Sequence, residues 1–155
     1  MTAKDAVEMA RGYFEAKSAD ADRWLTTADF QLRQVQEDPG FKKHAAFSLH
    51  QAVETAYVWA LLVHTLYFPR SHNIKFLRSL AEDVDKRLVE VWPRDARLDR
   101  RRFEMLKRAY VEARYSDQYD ISVEDLAALM VSAKALADRV RLVCEERLLT
   151  LKNAI

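Results

Sequence analysis

Residues 113–122 read ARYSDQYDIS, and they bring Arg114, Tyr115, Asp117, Gln118 and Tyr119 into one short stretch. An arginine beside aromatic rings can hold a phosphate through its guanidinium fork and stack a base. The competing reading is a polar turn with an Arg114–Asp117 ion pair and tyrosines packed under the loop. Binding residues concentrate on loops, so the two readings carry equal weight on these residues alone.

Other polar residues recur at helical spacing. His50 and Glu54 in HQAVE are one turn apart, a spacing that can present two ligands to one metal. A metal site needs three or four ligands, so the leading expectation is that Gln51 and Glu54 hydrogen-bond to neighbouring helix ends or side chains. His72 and Asn73 follow Pro69 at a helix start, where a side chain caps free amides or the amides themselves bind a phosphate; capping is favoured. His44 reads as exposed and His64 as a core residue. The run RDARLDRRRFEMLKR (94–108) groups arginines on one helix face. Such a face can contact phosphates but is more often only solvated. A glycine-rich phosphate loop, HExxH, GxSxG and paired metal-spaced cysteines are all missing, which argues against kinase, protease and zinc chemistry. No cofactor or metal is expected.

Composition constrains the setting. The chain holds 25 basic and 24 acidic residues, so any contact with nucleic acid must come from a local patch. Cys144 is the single cysteine, which rules out an intramolecular disulfide and suits a reducing cytoplasm. The start, MTAKDAVEMARGYFEAK, carries acids and no apolar core, unlike a signal peptide. The most apolar stretch, AVETAYVWALLVHTLYF (52–68), contains Glu54 and His64 and reads as a buried helix, not a membrane span. A length of 155 residues predicts one domain, 1–155, burying roughly 70% of its unfolded surface.

The elements that must position these residues are helices. Two glycines and three prolines leave few turns, so an all-α fold is expected. Residues 3–37 carry apolar positions spaced by three and four, with SADAD (18–22) offering caps in the middle; two helices are favoured over one bent helix. Pro39-Gly40 stops that region. A helix over 41–67, apolar on most sides, should be central. Residues 71–91 are amphipathic with Ser71 or Asn73 as cap, and residues 97–115 carry an apolar stripe that includes Leu106 and Tyr110. The last helix should start at Ser122, whose hydroxyl can accept from the Asp125 amide, and run to about 149. The expected architecture is an up-and-down bundle of five to six helices.

Three segments in order, FSLHQAVETAYVWALL (47–62), FPRSHNIKFLRSL (68–80) and FEMLKRAYVEARYSDQYDIS (103–122), followed by a final amphipathic helix, carry a family resemblance. The chain resembles the HEPN domain family, the higher eukaryote and prokaryote nucleotide-binding domain, in the branch paired with minimal nucleotidyltransferases. The resemblance runs from about Ala6 to Leu148. It implies a helical bundle that dimerises around a polar cleft handling nucleotide or RNA, beside a nucleotidyltransferase-like partner, in a toxin–antitoxin pair. It also implies that a ribonuclease member would carry Arg, four to six residues, then His. Here Arg114 matches the arginine, and Tyr119 stands where the histidine would. A tyrosine with a reference pKa of about 10 donates or stacks but does not exchange protons near neutrality. The expected site is therefore a binding site without chemistry: Arg114, Tyr115, Asp117 and Tyr119, with His50, Gln51, Glu54, His72 and Asn73. The alternatives are a ribonuclease pairing Arg114 with Tyr119, His50 or His72, and a purely structural interaction module.

Overall fold

The computed structural model describes residues 1–155 and contains six helices and no strand. These are α1 (Ala3–Arg33), α2 (Phe41–Thr65), α3 (Ile74–Val84), α4 (Arg87–Val91), α5 (Arg97–Tyr115) and α6 (Val123–Asn153). α1 and α6, 31 residues each, extend about 46 Å at 1.5 Å per residue. Short connections reverse the chain between neighbours and give an up-and-down bundle.

α2 is the axis of the molecule. It packs against α1, α3, α5 and α6, and its buried residues, among them Leu49, Val53, Tyr57, Trp59 and Leu62, face every direction. A helix apolar on all sides has no solvent face to offer, so the sequence can place it only inside. Each fully buried Leu or Val there contributes about 1.5–3 kcal/mol.

Two boundaries differ from the sequence reading. Residues 3–33 form one continuous helix instead of two. The Ser18 hydroxyl donates to the Glu15 carbonyl within the helix, and Ser18 and Ala21 are buried. Packing along α2 therefore outweighs the capping preference of SADAD. The amphipathic stretch 71–91 is instead split at Asp85, which is extended. Its carboxylate accepts from the Arg87 backbone amide at 2.9 Å and from the Arg87 side chain, so a local side-chain bond restarts the chain as α4.

The other terminal signals act as their chemistry requires. Asn73 Oδ1 accepts from the amides of Lys75 and Phe76, and Ser122 Oγ accepts from the Asp125 amide at 3.0 Å. α2 ends at Leu66 in the left-handed region, φ 62°, a conformation that costs a non-glycine residue about 1–2 kcal/mol. Thr65 holds that reversal: its hydroxyl donates toward the Leu61 and Tyr67 carbonyls and lies 3.2 Å from the Tyr67 amide. The reversed segment carries residues 67–73 back alongside α2, where His72 meets α5.

Candidate functional site

Tyr110 lies one turn before the end of α5 and four residues before Arg114, so their side chains share a face. The Arg114 guanidinium carbon sits 4.6 Å from the Tyr110 ring centroid, 4.9 Å from that of Phe47 on α2 and 5.0 Å from that of Tyr115. Its Nε donates to the Tyr110 carbonyl at 2.7 Å. Arg114 is exposed and makes no ion pair; the Arg114–Asp117 bridge of the polar-turn reading does not form. A guanidinium held among aromatic rings with its terminal nitrogens free is a prepared phosphate donor.

The second wall of the Tyr110 ring is His72. Its imidazole stacks on Tyr110 with centroids 4.2 Å apart. Residue 72 is gripped twice by α2, from positions one turn apart. His72 Nδ1 donates to Glu54 Oε1 at 2.8 Å, and the His72 carbonyl accepts from His50 Nε2 at 3.0 Å. His50 itself is fully buried and lies against Tyr110, centroids 5.3 Å apart. His50 Nδ1 lies 3.2 Å from Gln51 Oε1; with Nε2–H committed to a carbonyl, Nδ1 of the neutral ring is an acceptor, so the pair hydrogen-bonds when the Gln51 amide is turned to present its nitrogen.

Burial lowers the His50 pKa to about 4, with nearby His72 and Arg114 adding repulsion, so this ring is neutral near pH 7. Burial likewise pushes the Glu54 carboxyl up, opposed by its bond to His72. His50 and Glu54 both point to residue 72 and not to a common centre. Nowhere do three His, Cys, Asp or Glu side chains gather as a metal-ligand group.

Two clefts flank this stack. One, about 580 Å³, opens between α1, α2 and the end of α5 and is lined by Trp24, Lys43, Phe47, Arg114, Tyr115 and Asp117 among others. Lys43 reaches from α2 to the end of α5, donating to the Ser116 carbonyl at 2.8 Å. The other, about 400 Å³, is lined by Lys17, Glu54, Phe68, Arg70, Ser71 and His72 among others. Tyr115, 75% exposed, offers the open ring that base stacking needs.

The predicted residues thus separate into four groups. Arg114, His72, His50, Gln51 and Glu54 converge around Tyr110; Tyr115 and Asp117 line the adjoining cleft. Asn73 is occupied as the α3 cap. Tyr119 is displaced from the expected site: its ring is buried in the core and its hydroxyl donates to the Met105 carbonyl at 2.8 Å. Burial raises its phenol well above the usual range, so it is a packing residue in this structure. His44 is exposed, while His64 is half-buried, its Nδ1 on the Ala60 carbonyl. Sequence reading placed Tyr110 on an apolar stripe and Phe47 within the apolar helix 41–67, and missed both here. The Tyr110-x3-Arg114 spacing at a helix end is the signal that could have found them.

Fold and site together define a small all-helical bundle whose central helices hold an arginine, aromatic and histidine cluster at a polar cleft. Residues 21–143 match the HEPN domain, and the chain belongs to the HEPN domain family. No curated protein matches it.

Proposed function

We propose that this chain is a HEPN module that binds RNA or a nucleotide without cleaving it, taking a phosphate on Arg114 and a base on Tyr115. The observation that carries the reading is the Arg114 guanidinium, exposed, unpaired and stacked on Tyr110 at the mouth of the cleft. A phosphate there gains charge-assisted hydrogen bonds without displacing an existing carboxylate. The module works as a homodimer beside a nucleotidyltransferase-like partner in a toxin–antitoxin pair, as its sequence resemblance implies. Titration of fluorescent nucleotides and short RNAs tests the site. Binding by the native chain that Arg114→Ala weakens at least tenfold is expected; binding indifferent to Arg114→Ala counts against it. Co-purification with the product of an adjacent nucleotidyltransferase-like reading frame tests the partnership.

A second reading, a ribonuclease, is favoured by one contact: His72 rests on the same ring as Arg114. A histidine next to a phosphate-holding arginine is placed to assist attack by a ribose 2′-hydroxyl. This reading predicts RNA cleavage and growth arrest, both lost in His72→Ala and in Arg114→Ala. Preparations that leave RNA intact dismiss it.

A further inference from the structure

A second cationic pocket lies farther along α5 from Arg114, between that helix and α3. It encloses about 250 Å³ and is lined by Lys75, Arg78, Arg94, Arg100, Phe103 and Glu104, with Pro93 beside them. Four of these are cations and one is an acid. Of the cations, Arg94 is paired with Glu82, and Arg100 donates to the carbonyls of Arg94 and Asp95. Glu104 is drawn off by Lys107 at 3.2 Å. Arg78 and Lys75 have neither an ion pair nor a side-chain hydrogen bond.

Arg78 repeats the arrangement of Arg114. Its guanidinium carbon lies 4.0 Å from the Phe103 ring centroid, and Phe103 is braced edge-on by Trp92. The side chain is half-buried, where burial disfavours its charge and Arg94 adds repulsion that Glu82 opposes. A half-buried arginine on an aromatic ring, with no anionic partner of its own, is completed by an anion from outside.

The two sites are in register. His72 touches Tyr110, and Arg78 touches Phe103, so numbers rise toward α3's end as they fall along α5. Seven residues of α5 separate the two rings, or about 10 Å. Two sites this far apart are engaged together by a chain of nucleotides and not by one phosphate.

We propose that the Lys75–Arg78 pocket is a second phosphate site, and that the ligand of the Arg114 cleft is a single-stranded RNA lying along the α3–α5 edge and not a mononucleotide. The proposal rests on the Arg114 reading for its first contact. A strand engages both guanidiniums, while a mononucleotide reaches one. Each lost phosphate contact lowers the salt dependence of binding by about 0.7 in log–log slope.

The test compares uridine monophosphate with a fluorescent oligouridylate of about eight nucleotides, titrated at several salt concentrations. Lys75→Ala with Arg78→Ala should weaken the oligouridylate roughly tenfold, lower its salt slope by about 0.7 and leave the monophosphate unchanged. Lys75→Glu, at an exposed position that leaves Phe103 packing intact, should weaken the oligouridylate in the same direction. Unchanged strand affinity and salt slope in both variants overturn the second site; if Arg114→Ala still removes monophosphate binding, the first site stands alone. If the Lys75 and Arg78 variants weaken the strand but Arg114→Ala does not, the first site falls and the second remains. A native chain that binds neither probe overturns both. A polyglutamate peptide that displaces the strand at equal concentration assigns the pocket to acidic protein segments instead.

Discussion

The imidazole of His72 lies nearly parallel to the phenol ring of Tyr110, with 4.2 Å between centroids and 18° between planes. One residue precedes α3 by two positions and the other belongs to α5, so the contact ties the segment after α2 to the helix that carries Arg114. It holds because α2 grips His72 at both its ring and its carbonyl, through Glu54 and His50. The cleft geometry therefore depends on α2, which also lines the clefts with Lys43, Phe47 and Glu54.

Tyr110 is expected to be the residue whose loss disperses the site. Tyr110→Ala removes the ring under both Arg114 and His72; stacking and cation–π contacts of this kind are each worth about 0.5–1.5 kcal/mol. RNA affinity should fall by tenfold or more, with a lower Tm. Tyr110→Phe keeps the ring and should bind within about twofold of the native chain. Anisotropy titrations and calorimetry read both outcomes.

His50 should make stability fall in mild acid. Its pKa is about 4 in the folded protein against about 6.5 unfolded. The unfolded chain therefore binds the extra proton first, and stability is fully present above about 6.5 and declines as pH falls toward 4. The difference amounts to roughly 3 kcal/mol at most. Urea melts between about pH 7 and pH 4.5 should show the loss, and His50→Gln should flatten it. A native profile with the same slope as His50→Gln would show that another group is responsible.

Tyr119 is expected to affect stability and not binding. Tyr119→Phe removes the hydroxyl that satisfies the Met105 carbonyl, a loss of about 1 kcal/mol, and leaves RNA affinity unchanged. Tyr119→His restores the family's ribonuclease residue type at a position turned into the core. It should destabilise the protein without producing RNA cleavage, checked by thermal melts beside gel assays of labelled RNA. Cleavage gained by Tyr119→His would mean that this ring reaches the cleft.

Asp125 joins the start of α6 to α5. Its carboxylate accepts from Arg102 Nε at 2.9 Å and lies 3.4 Å from Arg101, while Ser122 caps its amide. Burial acts to raise its carboxyl, but Arg102, Ser122 and Arg101 together hold it below the ordinary value. A depressed carboxylate stabilises above its unfolded pKa and loses that contribution as pH falls through the folded one. Asp125→Ala leaves the largely buried Arg102 only the exposed Glu124, 4.0 Å away, and should cost about 3 kcal/mol near pH 7. In urea melts the deficit should shrink as pH falls below the ordinary carboxylate range, where the native carboxylate at last protonates.

The helices were largely legible, because their signals are local. Pro39-Gly40, the Asn73 cap and the Ser122 cap act through residues two or three positions away, and the apolar surround of α2 can only be buried. The misreadings arose where distant contacts compete with local ones. Ser18 has the chemistry of a cap, but burial against the bundle keeps it inside α1; Asp85 has the chemistry of a helix surface, but its grip on Arg87 breaks the helix there.

The site divides along the same line. The sequence by itself determined an all-helical HEPN chain with an arginine near the end of α5 and no histidine at the family's spacing. Only the tertiary structure decided which residues surround that arginine. It turned Tyr119 inward and brought His72 across from another segment to the Tyr110 ring. Residue order cannot report this, because side chains 38 positions apart in sequence, Tyr110 and His72, meet only when α2 fixes the distance between them.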